Sequence, residues 1–405
     1  MLKKLLFLSL VIIALNPAFS QEISQWRGAN RDGIYTETGL LKSWPEAGPT
    51  LLWHFDELGD GHSSATVTKD RVFTGGTIDG QGVIFAFTLD GKLLWKTPYG
   101  VEWIESWPGV RSTPLFVDGY LYQLSSYGKI VCLKADDGKI VWEADIMKDY
   151  GGENIQWGVT ENFVSDGNKL FVTVGGKEHN VIALDRMTGK LVWSCKGNGE
   201  KSAYCSPTVI TFPSRKVLVT QTGSSILGID VADGKLLWSQ EWPNKYSVHA
   251  NTSLFHDGNL YVASGYGKGG IMLKLSPDGS SIQELWRNTN IDNRMQGYVL
   301  INGKIYGSDD AGKAWWVIDW NTGQALGSSK PCARGNIIAD DGMLYLYGDS
   351  GEFVLAEPLA DGYNKVGSFK IPYGANQHWA HQVIAHGKLW IRHGTSLMVY
   401  DIKQK

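Results

Sequence analysis

The chain has 405 residues, a formal net charge of −3 at pH 7, 12% aromatic and 20% charged residues, and 4 cysteines. That mildly acidic balance excludes a nucleic-acid partner, which needs clustered Lys and Arg to meet the phosphate backbone. So few cysteines also exclude a disulfide-dense secreted scaffold.

In chain order, residues 1–20 read as a secretory signal peptide: Lys3 and Lys4, an apolar run from Leu5 to Leu15, then a small-residue exit at Ala18-Phe19-Ser20. The run is too short to span a hydrocarbon core of roughly 30 Å, as is every later apolar stretch. The expected location is periplasmic or secreted, with no membrane span and no lipid-anchor cysteine after the exit site.

Residues 21–50 are expected to be an N-terminal extension packing on the domain that follows, and residues 51–405 a single repeat domain. The phrase Gly-Lys-aliphatic-aliphatic-Trp recurs at Gly91–Trp95, Gly138–Trp142, Gly189–Trp193 and Gly234–Trp238, with an isolated Trp53 before it and a degenerate Trp286 after it. The tryptophans stand roughly 45 residues apart, the length of one four-stranded propeller blade. One clear unit runs from Thr113 to Trp142, where short apolar strands are separated by Asp118-Gly119, Gly128 and Asp136-Asp137-Gly138. Gly accepts positive φ and Asp bonds its own backbone, so these are turn signals. The tryptophan ending each outer strand is expected to pack between adjacent blades.

After Trp286 the phrase decays to Thr322–Leu326 and Val366–Phe369, and the last unit, Gln382–Ile402, holds only three strands. The orphan Leu51-Leu52-Trp53-His54-Phe55 supplies the missing outer strand. Pairing the two ends of the domain in this way closes the ring and removes an exposed sheet edge. The fold is therefore an all-β, eight-bladed β-propeller of four-stranded antiparallel blades, with seven blades as the alternative. Cys132 lies in an apolar strand and reads as a buried thiol, whereas Cys195 and Cys205 flank one blade junction and could pair.

The repeat Ala183-Leu184-Asp185-Arg186-Met187-Thr188-Gly189-Lys190-Leu191-Val192-Trp193 resembles that of the pyrroloquinoline-quinone (PQQ)-repeat propellers. The leader Gln25–Gly33 and the segments Gly109–Pro114 and Ala203–Pro207 resemble secreted bacterial members of that family. The resemblance implies the blade fold, and through other members either a PQQ-dependent alcohol or sugar dehydrogenase with calcium or an outer-membrane assembly scaffold. Two departures stand against carrying those activities over. The dehydrogenases are longer and carry adjacent cysteines near the quinone, and the scaffold carries a lipid-modified cysteine. Fold alone does not carry function.

In a propeller the innermost strands start near the axis on one face, so residues at those starts converge on a funnel. The starts offer His62, Arg111, Trp157 with Glu161, Tyr204, His249 with Asn251, Arg294 with Gln296, Arg334 with Asn336, and His378 with His381. Convergent polar groups in a concavity mark a binding site. Arginine forks suit carboxylate or phosphate, and Trp103, Trp107, Trp157, Trp242 and Trp379 in the linkers of this face suit stacking on a sugar or a flat quinone. The long linkers Thr97–Val110 and Asp145–Gln156 are expected to shape the rim.

Other motifs carry little. Gly265–Gly270 lacks the helix a phosphate loop needs and reads as a hairpin loop. Asn30–Gly33 and Asn290–Asn293 lack the acidic spacing of a calcium loop, and no Gly-x-Ser-x-Gly elbow is present. The favoured reading is a monomeric, non-catalytic propeller that binds a small carbohydrate or anionic ligand, or a protein partner, at its axial funnel. A PQQ-dependent dehydrogenase, with Arg111, Arg294 and Arg334 on the quinone carboxylates and Glu161 or a ring histidine as base, is the alternative. A polysaccharide lyase or hydrolase is the third.

Overall fold

A computed structural model describes residues 21–404; the signal-peptide expectation for residues 1–20 falls outside the described residues. Eight antiparallel sheets follow one another along the chain as blades 1 to 8, at residues 66–101, 115–145, 164–195, 208–241, 254–288, 298–329, 335–370 and 383–401. The eighth is completed by Thr50–Phe55, which pairs antiparallel with Ser396–Asp401, Trp53 opposite Val399. Among the described residues almost no helix interrupts this order; the one short helix there, Ile146–Tyr150, is capped by the Asp145 side chain.

Two-residue turns join the innermost strand of several blades to the next. Asp118-Gly119, Asp257-Gly258 and Asn302-Gly303 have positive φ at both residues, the mirror-image turn whose twist matches that of the flanking strands. Middle strands such as Lys129–Lys134 and Met343–Gly348 are buried on both faces, because each blade is covered by its two neighbours. Outer strands such as Ile140–Asp145 are largely exposed.

The core lies between blades. Phe73, Ile84 and Ala86 of blade 1 pack on Phe116, Leu121 and Val131 of blade 2. The repeated tryptophans seal these junctions: the indole N–H of Trp95 donates to Ala135 O at 3.1 Å, that of Trp142 to Arg186 O at 2.9 Å, and that of Trp193 to Val231 O at 3.1 Å, each in the following repeat. Cys195 and Cys205 do not pair; all four cysteines are buried free thiols.

Candidate functional site: a funnel closed by the leader

The leader does more than pack on the ring; it crosses the axis. Ile23–Ser24 adds a fifth strand to the inner edge of blade 2, opposite Phe116 and Val117. Arg31 then donates to the carbonyls of Asn162 at 2.6 Å and Phe163 at 2.8 Å, at the entrance of blade 3. On the far side Arg27 donates to Tyr298 O at 2.7 Å in blade 6 and to Ile337 O at 3.1 Å in blade 7, and Ile34 bridges Ala339. Both guanidinium groups are almost fully buried. Backbone carbonyls stand in for water around these charges, which is what a buried cation without a carboxylate requires. Gly297 and Gly33 are the close approaches that make room: a Cβ on either would lie 2.2 or 2.3 Å from an Arg27 nitrogen.

Above this plug lies a cavity of about 200 Å³. Trp26, from the leader, forms its floor and meets His381 edge-on, ring centroids 4.9 Å apart. Trp107, Trp157 and Trp379 wall it, with Trp107 6.0 Å from each of the other two. Tyr204 and Tyr266 complete the aromatic lining. Trp107, Tyr204 and Tyr266 all have φ between 55° and 65°. A bulky residue in the left-handed region is uncommon and costs on the order of 1 kcal/mol or more. Three such residues around one cavity mean that ring placement outweighs backbone comfort here.

The structure brings His62, Arg111, Trp157, Tyr204, Arg294 and His381 together around the cavity and sets the other candidates behind it. Glu161 is buried, both its oxygens accepting from the Thr173 N–H. His249 is enclosed between Ser264 and Gly223. Asn251 ties blade 5 to blade 6, donating to Asn293 O at 2.6 Å and accepting from Gly297 N at 3.0 Å. Gln296 is buried and accepts from Met295 N. Arg334 is paired with Asp310 and Asp349. Asn336 donates to the carbonyls of Trp379 and Ala380, both at 3.0 Å, and so positions a wall of the cavity without touching it. His378 stacks on His393 with centroids 3.7 Å apart. Of the linker tryptophans, Trp103 and Trp242 also lie outside the lining; Trp242 is fully buried beneath Lys268.

The sequence reading missed Trp26, Tyr266, Thr160, Asn162, Ser206, Val248, Ala250 and Met295. Thr160 and Asn162 flank Glu161, and Val248 and Ala250 flank His249. The signal that could have found them is strand alternation, since neighbours in an extended chain face opposite ways.

Charge in the cavity is positive. Arg111 donates to the carbonyls of Trp157, Trp107 (2.9 Å) and Ser106 (3.4 Å), and among the described residues it has no ion-pair partner. Glu102 acts on it only from a distance, its oxygens accepting from Tyr99 Oη, Ser126 N and Trp103 N. Burial lowers the Arg111 pKa. Arg294, by contrast, is neutralised by Asp310 at 2.9 Å. Burial, reinforced by Arg111 and Arg392, pushes the His62 imidazole down to about 3, and neither ring nitrogen has a hydrogen-bond partner. His381 is also pushed down to about 3, first by burial and then by Arg27. No Asp or Glu lines the cavity among the described residues.

That donor set bears on the cofactor the repeat resemblance implies. Calcium takes oxygen ligands with carboxylates prominent among them, and none is offered here; among the described residues no group of three or more His, Cys, Asp or Glu could hold a metal ion. The aromatic walls and Arg111 suit a flat carboxylate-bearing ring, but the lining does not fit a calcium-bound quinone. Glu161 is in no position to act as its base.

The fold and site define a closed propeller with an axial, leader-floored cavity. Residues 80–329 match the family described as the outer membrane protein assembly factor BamB, and the chain belongs to that PQQ-like propeller family. A BamB of Kangiella koreensis is 26% identical over 212 residues, covering 51% of this chain and 49% of that protein. A quinohemoprotein alcohol dehydrogenase, ADH IIB of Pseudomonas putida, is 27% identical over 150 residues, 34% of this chain and 21% of that one. The chain thus spans half or less of the length of these curated relatives. The crystal structure of BamB from Moraxella catarrhalis superposes with a TM-score of 0.63 at 12% identity, covering 87% of this chain and 99% of that chain; at that identity the likeness is one of fold. No helix of the described residues is long and apolar enough to cross a membrane.

Proposed function

We propose that this chain is a periplasmic or secreted binding propeller that holds a small ring-shaped anion, a carbohydrate acid or a similar carboxylate, in its axial funnel without altering it. The observation that carries this reading is Arg111: a largely buried guanidinium, ringed by tryptophans, whose bonded partners are all neutral carbonyls. An incoming carboxylate would complete that charge, and a charge-assisted hydrogen bond is worth about 1.5–3 kcal/mol. The aromatic walls supply flat surfaces for the ring.

Absence of chemistry is supported by the same lining. A general base works best with a pKa near the operating pH, and His62 and His381 lie far below it. The lyase reading has its carboxylate-neutralising arginine, but the imidazoles of the lining, His62 and His381, are held too weakly basic to serve as its base. The dehydrogenase reading has aromatic walls but no calcium ligands. A protein partner remains a second reading on one observation: Trp107 and Tyr246 stand 41% exposed at the rim, and relatives of this chain are named as assembly factors.

Calorimetry with uronates, aromatic carboxylates, sugar phosphates and PQQ with calcium tests the proposal. At least one anion should bind, and Arg111→Gln should weaken it by about tenfold or more. If no member binds, or the variant binds as well as the parent, the reading fails.

A further inference from the structure

A second cavity, of about 470 Å³, opens beside the funnel. Tyr204 lines both, and Tyr246, 6.4 Å from Trp157, borders the second. The lining changes character across that wall. The funnel is aromatic and cationic, whereas the side pocket is lined by Asn154, Gln156, Ser202, Ser224 and Ser247, and its one cation, Lys201, is paired with Glu153 at 3.2 Å. Its carboxylate, Glu200, is already engaged, accepting from Thr222 Oγ1, Ser224 N and Ser225 Oγ.

Each cavity also holds one nearly buried polar side chain with nothing to bond. In the funnel it is His62, 8% exposed with both nitrogens unpartnered; in the side pocket it is Ser202, 6% exposed with a free Oγ. These atoms lie flush in the cavity walls with almost no accessible surface, and a polar ligand seated against the walls supplies the partner they lack. The ligand must then be polar over both cavities, flat enough to lie on Tyr204, and negatively charged at the funnel end, where Arg111 stands without a counter-ion. A flat aromatic acid meets the funnel but leaves the side pocket unmatched. A pyranose has a flat C–H face for the ring and hydroxyls for the serines and amides.

We infer that the ligand is an acidic oligosaccharide of at least two units, its uronate carboxylate on Arg111 and its next sugar in the side pocket. This rests on the funnel reading above and narrows it. Because Trp26 closes the floor, the glycan enters by a chain end and does not thread the axis.

The test compares galacturonate and glucuronate with their disaccharides by calorimetry, on the parent and on two variants. Ser202→Ala is conservative, and Gln156→Ala alters an exposed amide that lines only the side pocket. In the parent, at least one disaccharide should bind about tenfold or more tightly than its monosaccharide. Both variants should shrink that advantage severalfold while leaving monosaccharide affinity unchanged. Polygalacturonate should compete in proportion to its chain ends, not its mass. If monosaccharides bind and neither disaccharide gains, the extended site is overturned and the funnel stands. If aromatic carboxylates bind and uronates do not, the sugar assignment is overturned alone. If nothing anionic binds, both readings fall.

Discussion

Gly138 lies against the indole of Trp95, one blade earlier in the chain: a Cβ on it would come within 2.6 Å of ring carbon Cε3. Gly189 stands in the same relation to Trp142, and Gly234 to Trp193. The repeated phrase is therefore not a unit that folds on itself. Its glycine receives the preceding repeat's tryptophan, and its own tryptophan is received by the next glycine.

Gly138→Ala should be costly for two independent reasons. The residue has φ of +69°, which disfavours any side chain by about 1–2 kcal/mol, and the new methyl would push on a packed ring, for which overpacking costs of about 1–3 kcal/mol are usual. We expect a loss of about 2 kcal/mol or more by urea unfolding. Gly119→Ala should cost only the backbone share, since nothing lies within 4 Å of a Cβ there although its φ is +81°.

Arg27→Met should destabilise the ring and abolish ligand binding together. The substitution leaves the carbonyls of Tyr298, Ile337 and Asp32 without their donor, at about 1–3 kcal/mol for each buried group left unpaired. Trp26 would lose its seat next to it. Unfolding curves and the calorimetric assay should change in the same variant, whereas Arg111→Gln, whose carbonyl partners Ser106 and Trp107 are open to water, should move chiefly the second.

Acid should weaken the fold through its buried imidazoles. Burial pushes His249 down to about 4, and His62 and His381 lower still, so between pH 6.5 and 4 the unfolded chain binds more protons than the folded one. Stability then falls as pH falls through that window. His249→Gln should be less stable near neutrality yet show a shallower loss between pH 6.5 and 4.5.

Glu161 sets the opposite slope. Burial raises its carboxyl to about 8 despite the Thr173 N–H and Arg31. Its contribution is complete below its unfolded pKa, near 4.3, and is lost as pH rises toward 8. Glu161→Gln should thus gain on the parent between pH 5 and 8 in urea unfolding. A constant offset across that range would show the carboxyl to be ionised throughout.

The ring of blades was legible because every Gly–Trp contact is repeated, and repetition survives even where one copy degenerates. Closure by Thr50–Phe55 was legible because an outer-strand signature with no blade before it has one place to go. The funnel was half legible for a geometric reason. Strand entrances can be located to within a residue, but one residue of error turns a side chain from the axis to the core, and that is how Glu161 and His249 came to stand for Thr160, Asn162, Val248 and Ala250. Trp26 gave no phase to read at all. The leader makes few ladder bonds, and its contacts reach residues some 300 positions away.

The floor of the funnel has a consequence for how the protein becomes competent. Arg27 and His381 are 354 positions apart in the chain and 3.1 Å apart in space. Until blade 8 has docked, Trp26 lacks the imidazole it meets edge-on, and the binding chamber lacks His381 from its wall. Ligand capture is in effect a certificate of completed folding, which a nascent or nicked copy lacking its final blade would be unable to present.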